Sequence, residues 1–438
     1  MWAWSRYGRA LPAGSQIVYG AAVKQQDTIA VIGTGVIGAA VALALAREGH
    51  AVLLFDRAEP GVAGASFGNV GHIAAELVQP LPSLSLLFGF WRELYSMGGP
   101  LDLPPRQVLR MLPWIGRFAA AAFRRAENTR HLAPLVLPAA ADWGRWLDEI
   151  GRPELLRRHG HYEIGFGPKA QSRARVQARL MAQLGVKTRL ASSEELKPLQ
   201  RAARAGMAAG LWFEDSAHVT DPLEAVRTFA AAAVARTAAF RRLDVRALRR
   251  IGDDIEILSE EAPLRVGAAV VCAGMGSQPL LASFELHAPL QAVRGYHVEL
   301  PGQAPFLDAP VVYTGSHLLV TPMAGRLRAS SYMEFAPPEA PADPRKAARL
   351  RQTLRALGHT CEPEGPYWMG ARPVLPDYLP GIGRATGPAR LFYAIGHQHI
   401  GLTMAPVTAE LIADLVADRR PRHAVAAFDL QRFGARMR

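Results

Sequence analysis

The run Ile29–Ala46, IAVIGTGVIGAAVALALA, has 18 residues and no charge. By length it sits at the edge of a membrane span, but three glycines within six residues argue against one. Ile29–Ile32 is a short aliphatic run of the kind that forms a strand buried in a parallel sheet. Gly33-x-Gly35-x-x-Gly38 follows at once, and Ala39–Arg47 has the Ala and Leu content of a helix. After Gly49 and His50, AVLLFD (Ala51–Asp56) reads as a second buried strand ending on an acid. In such a unit Gly33 permits the tight turn, Gly35 lets a pyrophosphate approach the backbone, and Gly38 lets helix and strand pack closely. The N–H groups at Val36 and Ile37, with the dipole of the helix, favour phosphate. Asp56 lies 18 residues past Gly38, near the spacing of an acid that binds ribose hydroxyls, with Arg57 beside it. The unit predicts dinucleotide binding, NAD or FAD in preference to NADP.

A chain of 438 residues has room for two or three domains, or for a nucleotide domain with another inserted in it. Two cysteines, Cys272 and Cys361, cannot build a disulfide framework, so a cytoplasmic protein is expected. The net charge of +12 rests mainly on arginine, with no compact basic block interleaved with aromatics. Nucleic acid is therefore not an expected partner, whereas an anionic membrane surface is compatible. Residues 1–26 pattern as neither helix nor strand and are expected to be a mobile extension.

Further stretches narrow the nucleotide. RAEPGVAGASFGNVGHIA after Asp56 is a long small-residue loop suited to a backbone lying along an extended ligand, with Ser66, Asn69, Gly71 and His72 in it. LDVRALRR and DIEILSEE alternate like hairpin strands, with Val245 and Ala247 on one side; AAVVCAG is a buried strand ending at Ala273-Gly274. GARPVLPDYLPGIG and LFYAIGHQHIGLTMAP come near the end. There a strand, a turn over Gly396–Gly401 and an amphipathic helix carrying Val407, Leu411 and Leu415 again aim a helix N-terminus at something anionic.

Those pieces, in that order, resemble the FAD-dependent amine and amino-acid oxidoreductases of the D-amino-acid oxidase and glycine oxidase superfamily. The likeness is strongest to bacterial D-amino-acid dehydrogenases of the membrane-associated type. GASFGNVGHIA resembles that group's flavin segment, VRGYHVEL its Lys-Gly-Tyr strand, GARPVLPD its Gly-x-Arg-Pro motif, and GHQHIGLTMAP its closing turn; the likeness spans about residues 28–420. Arg294, His72 and Tyr332 depart from the pattern. The implied fold is α/β: a Rossmann-type FAD-binding domain over 27–77, 200–288 and 369–438, with an α+β substrate domain on an antiparallel sheet over 78–199 and 289–368.

Carried over by position, the resemblance puts Gly33, Gly35 and Gly38 at the FAD pyrophosphate and Asp56 at the adenosine ribose. It puts Ser66, Asn69 and Gly71 along the ribityl stretch, Val245 beside adenine, and Ala273-Gly274 at the nucleotide half. Gly396, His397, Gly401, Leu402 and Thr403 would close over the flavin. Arg372 is the candidate for the substrate carboxylate, because a guanidinium holds one bidentately; Tyr296, Tyr332 and His397 are candidates for further contacts. The implied reaction is hydride transfer from the amino-acid Cα to flavin N5. The imino acid then hydrolyses to a 2-oxo acid, and the electrons pass to a quinone-type acceptor. Such chemistry needs orientation rather than a catalytic base. The alternatives are oxidation of a secondary amine or cyclic imino acid, an NAD-dependent dehydrogenase, and a non-catalytic flavin-binding subunit. No metal is expected: His397 and His399 lack a Cys or acidic partner at matching spacing.

In 107–127, Arg110, Arg117 and Arg124 recur every seven residues, with Val108, Met111, Leu112, Ile115, Phe118 and Ala122 on the opposite side and Pro113 as an interruption. This reads either as a lipid-interface helix at the inner face of the cytoplasmic membrane or as a core helix with a solvated basic face. The segments 186–200 and 208–236 read as strand–helix pieces returning to the nucleotide domain.

Overall fold

The computed structural model describes residues 27–202 and 208–434. The extension expected over 1–26 lies outside them. Strand β1 (Thr28–Ile32), helix α1 (Val36–Arg47) and strand β2 (Ala51–Asp56) form as the glycine spacing predicts. β1 is central in a six-stranded sheet, with β2 on one side and Ala268–Val271 on the other. Ala238–Arg242 and Arg390–Ile395 extend it in parallel, and Gly381–Arg384 closes one edge antiparallel.

Two-residue periodicity divides the aliphatic residues of β1 between two cores. Ile29 and Val31 face α1, the Pro222–Val234 helix and the last helix, Gly401–Val416. Ala30 and Ile32 face a three-stranded sheet over 247–266. The uncharged run is therefore buried on both faces, each enclosed aliphatic side chain contributing about 1.5–3 kcal/mol. Gly38 has no alternative, since a Cβ there would lie 1.8 Å from the Gly33 carbonyl oxygen. Asp221 caps the Pro222 helix, its Oδ1 accepting from the Leu223 and Glu224 N–H groups.

The second sheet has nine strands and is mainly antiparallel. Its edge strand Tyr367–Val374 pairs with Gln291–Pro301, which pairs with Arg326–Glu334. Leu318–Met323, Val311–Tyr313, His161–Phe166, Ala208–Phe213 and Thr188–Leu190 continue it, and Leu101–Asp102 adds to Arg326–Glu334.

This pairing shifts some expected boundaries. Residues 208–213 and 369–374, expected in the nucleotide domain, pair instead with the antiparallel sheet. Conversely, Arg125–Val136 and Ala139–Glu149 pack on the last helix, with Trp143 stacked on Phe229 and its Nε1 donating to the Leu402 carbonyl at 2.8 Å. Local patterning could not show this, because each segment's apolar face has an equally apolar alternative partner. Pro113 does not interrupt its helix, which runs Pro105–Ala122; Met111 and Trp114 are buried, whereas Leu112 is 54% exposed. No helix among the described residues is long and apolar enough to cross a membrane.

Candidate active site

The two sheets enclose a cavity of about 820 Å³, with the glycine turn at one end and Arg372 on its wall. At the nucleotide end Gly33 has φ +97°, and a Cβ on it would lie 2.5 Å from the Cys272 carbonyl oxygen. The bare backbone this leaves is the cradle a pyrophosphate requires. Asp56 Oδ2 accepts from Thr34 N at 2.7 Å and from Thr34 Oγ1 at 3.0 Å. One carboxylate oxygen thus holds the turn, and Asp56 still lines the cavity. Ser66 Oγ accepts from Val36 N at 3.0 Å, fixing the loop on the N-terminus of α1.

Gly35, Val36, Ile37, Arg57, Val245, Ala273 and Gly274 line the same end. Asn69, His72, Gly396, His397, Gly401 and Leu402 line the cavity farther along. Together these residues fit an extended dinucleotide, from a helix N-terminus to the turn before the last helix.

Three of the expected contact residues stand behind the wall instead. Gly38 packs on the Gly33 carbonyl. Gly71, at φ +73°, donates from its N–H to Asn69 Oδ1 at 2.8 Å and backs onto the Val219 carbonyl. Thr403 is buried, and its Oγ1 accepts from Ala74 N at 3.0 Å, so its hydroxyl ties the last helix to the loop. All three shape the wall without forming its surface.

Arg372 lies in Tyr367–Val374, opposite Val293. Its guanidinium borders the open cavity far below the protein surface, and burial lowers its pKa from the usual value. It donates from Nη1 to the Tyr332 carbonyl at 3.2 Å, and no carboxylate among the described residues pairs with it. Tyr332 has φ +73°, a left-handed backbone rare for an aromatic residue. Gly295 makes the room: a Cβ there would lie 2.1 Å from Arg372 Nη2.

The other candidates differ in how much hydrogen-bonding capacity they leave. The Tyr296 hydroxyl donates to Glu334 Oε2 at 2.9 Å and accepts from Arg294 Nη2 and Asp343 N, each at 3.0 Å. A hydroxyl so engaged holds the sheet together, not a substrate. Tyr332 packs edge-on to Tyr95 and Tyr296, and burial raises its pKa to about 12, so it remains protonated. His397 Nε2 is 3.1 Å from Thr408 Oγ1, and burial lowers its pKa to about 3.

Sequence reasoning missed His399, Tyr378, His297 and Trp368, which also line the cavity. His399 is open to the cavity yet deep, and burial, with Arg372 and His72 nearby, lowers its pKa to about 4. His297 stacks on Trp368 at 5.3 Å and is 2.9 Å through Nδ1 from the Gly68 carbonyl. The signal for His399, Tyr378 and His297 was their presence in the motifs GHQHIGLTMAP, GARPVLPDYLPGIG and VRGYHVEL already singled out; Trp368, two residues before the second of these, gave none.

A dinucleotide cradle joined to an antiparallel substrate sheet, with an unpaired cation on the shared wall, defines a flavin-dependent oxidoreductase of the two-domain kind. The family model for FAD-dependent oxidoreductases of the DAO type matches residues 28–415, and the chain belongs to that family. It is 29% identical over 419 residues to a D-amino-acid oxidase of Bradyrhizobium diazoefficiens, covering 92% of this chain and 98% of that one. It is 26% identical over 426 residues to a D-amino acid dehydrogenase of Chromohalobacter salexigens, covering 93% and 100%. Among solved structures, glycine oxidase from Geobacillus kaustophilus superposes with a TM-score of 0.73 at 20% identity, over 92% of this chain and 98% of that one.

Proposed function

We propose that this flavoenzyme oxidises a free amino acid of D configuration, held by its carboxylate on Arg372. The observation that carries the reading is the buried guanidinium of Arg372, which has one carbonyl contact and no carboxylate partner among the described residues. A desolvated cation of this kind favours a bidentate carboxylate more strongly than one in water does. The choice of D configuration is supported by the relatives named above as D-amino-acid oxidase and dehydrogenase.

FAD, when bound, supplies a hydride acceptor at N5. The chain itself supplies placement. Arg372 fixes the main-chain end of the substrate, while Tyr332, backed by Tyr95, forms an apolar wall beside it. His397 and His399 are held neutral by burial, so they do not compete as cations for the carboxylate. The product imino acid hydrolyses to a 2-oxo acid and ammonia.

The electron acceptor in this reading is a quinone, reached at an anionic membrane surface by peripheral contact. Exposed apolar side chains support it: Phe88, Leu109 and Phe123 are 82, 72 and 76% exposed, with Arg106, Arg110, Arg117 and Arg124 exposed among the latter two. Basic and apolar groups interleaved on one surface suit a lipid interface.

The test is anaerobic bleaching of the flavin by D-, L- and N-alkyl amino acids and by amines without a carboxylate. Rapid bleaching by D-amino acids alone is expected. Bleaching by decarboxylated amines at equal rate would overturn the role of Arg372, and preference for N-alkyl or cyclic substrates would replace the primary amine. Reoxidation by a soluble quinone should outpace reoxidation by oxygen. Failure to sediment with anionic liposomes at low salt would remove the membrane contact.

A further inference from the structure

Against the middle of the cavity, three chemically matched side chains from separate segments meet out of solvent. His72 begins the short strand His72–Ile73, Glu76 follows in the loop, and His161 begins His161–Phe166 of the substrate sheet. Glu76 Oε1 lies 3.6 Å from His72 Nε2 and 3.6 Å from His161 Nε2. The three ligand atoms fall within 4.8 Å of one another, and all three residues are buried.

These separations are too long for hydrogen bonds, and among the described residues three of the four ring nitrogens have no other partner. His72 Nε2 and both nitrogens of His161 are buried without a hydrogen-bond partner. His218, the register partner of His72, also has a buried Nδ1 with no partner. Orphaned polar atoms at this depth are costly and call for an occupant. Burial lowers the pKa of His72 to about 4 and holds that of His161 well below its ordinary value, giving the neutral imidazoles that bind metals. The other carboxylate oxygen is anchored, Glu76 Oε2 accepting from Ser216 Oγ at 2.7 Å.

We propose that His72, Glu76 and His161 bind a first-row divalent cation of the zinc type through two imidazole nitrogens and one carboxylate oxygen. Tetrahedral bonds of roughly 2.0–2.1 Å to one ion separate its donor atoms by roughly 3.3–3.4 Å, a few tenths of an ångström less than the 3.6 Å that Glu76 Oε1 keeps from each imidazole. Such an ion would clamp the loop after the flavin segment to the substrate sheet. Because His72 also lines the cavity, the clamp would sit against the cofactor space.

The experiment uses the full-length, flavin-loaded protein stripped with a chelator and then titrated with Zn²⁺ by calorimetry and with Co²⁺ by visible absorption. One equivalent should bind, Co²⁺ should give ligand-field bands to the red of the flavin, and Zn²⁺ should raise Tm by a few degrees. His161→Ala and Glu76→Gln should each abolish stoichiometric binding while flavin content is retained. The cobalt spectrum of the parent protein reads the ligands directly, so the assignment stands or falls even if a variant misfolds. No stoichiometric binding, a cobalt spectrum of oxygen ligands only, or binding unchanged in both variants would overturn the proposal.

Discussion

Two arginines on neighbouring strands have opposite surroundings. In the pairing of Gln291–Pro301 with Tyr367–Val374, Arg294 stands opposite Ala371, and Arg372 stands opposite Val293. One step of register places them on opposite faces of the sheet. Arg294 is saturated: it donates to Glu334 at 2.6 Å, to the Pro337, Ala340 and Pro341 carbonyls, and to the Tyr296 hydroxyl. Lys346 joins the same carboxylate at 2.8 Å and reaches Asp102 at 2.7 Å. Arg372 makes one carbonyl contact and faces the cavity. A buried cation with every donor engaged holds the protein; one with donors free holds something else.

The largest effect expected is from Arg294→Met, which leaves three carbonyls without their donor, takes one of three partners from the Tyr296 hydroxyl and removes a cation from beside Glu334. The loss should be about 3–5 kcal/mol of stability, read as a drop in denaturation midpoint. A variant as stable as the parent would break the contrast. Arg372→Met should instead leave flavin content and Tm near those of the parent and lower kcat/KM for carboxylate substrates by about 2–4 kcal/mol, roughly 30- to 1000-fold. Loss of flavin in that variant would make Arg372 structural too.

Acid sharpens the comparison, because guanidinium charge is constant while the site's histidines must stay neutral. Burial lowers the folded-state pKa of His297 and His397 to about 3, so the unfolded chain takes up protons first as pH falls. Stability is whole above about pH 6.5 and erodes below it, by about 2 kcal/mol per histidine at pH 5. Tm should fall between pH 7.5 and 5, and less steeply in His397→Asn; a flat profile would contradict buried neutral imidazoles. The smallest effect is Gly295→Ala, where the new methyl meets the movable end of Arg372. KM should rise roughly tenfold, about 1.4 kcal/mol, with Tm and flavin unchanged. Equal loss of Tm would place the strain in the sheet.

The contrast between the arginines also marks the limit of what sequence can show. The β1–α1–β2 unit was readable because strand, glycines, helix and acid fall within 28 residues whose spacing is itself the chemistry. Tyr296 was not: its hydroxyl is occupied by Glu334, Arg294 and Asp343, up to 47 residues away. Nor was the position of Thr403 behind the wall, which depends on Ala74, 329 residues earlier. The helix over 105–122 was recognisable by its period, but which of its apolar residues would find cover depended on partners not adjacent in the chain.

The order of strands across the nucleotide sheet also bears on how the protein is made. β1 leaves the ribosome early, yet its second neighbour arrives at residues 268–271, the next strand at 390–395, and the closing turn at 396–402. Until then the growing chain has half a cradle and an exposed aliphatic strand edge, so cofactor loading must follow synthesis of nearly the whole polypeptide. Cells short of the vitamin from which flavin is built should therefore accumulate full-length, protease-sensitive chains rather than arrested fragments.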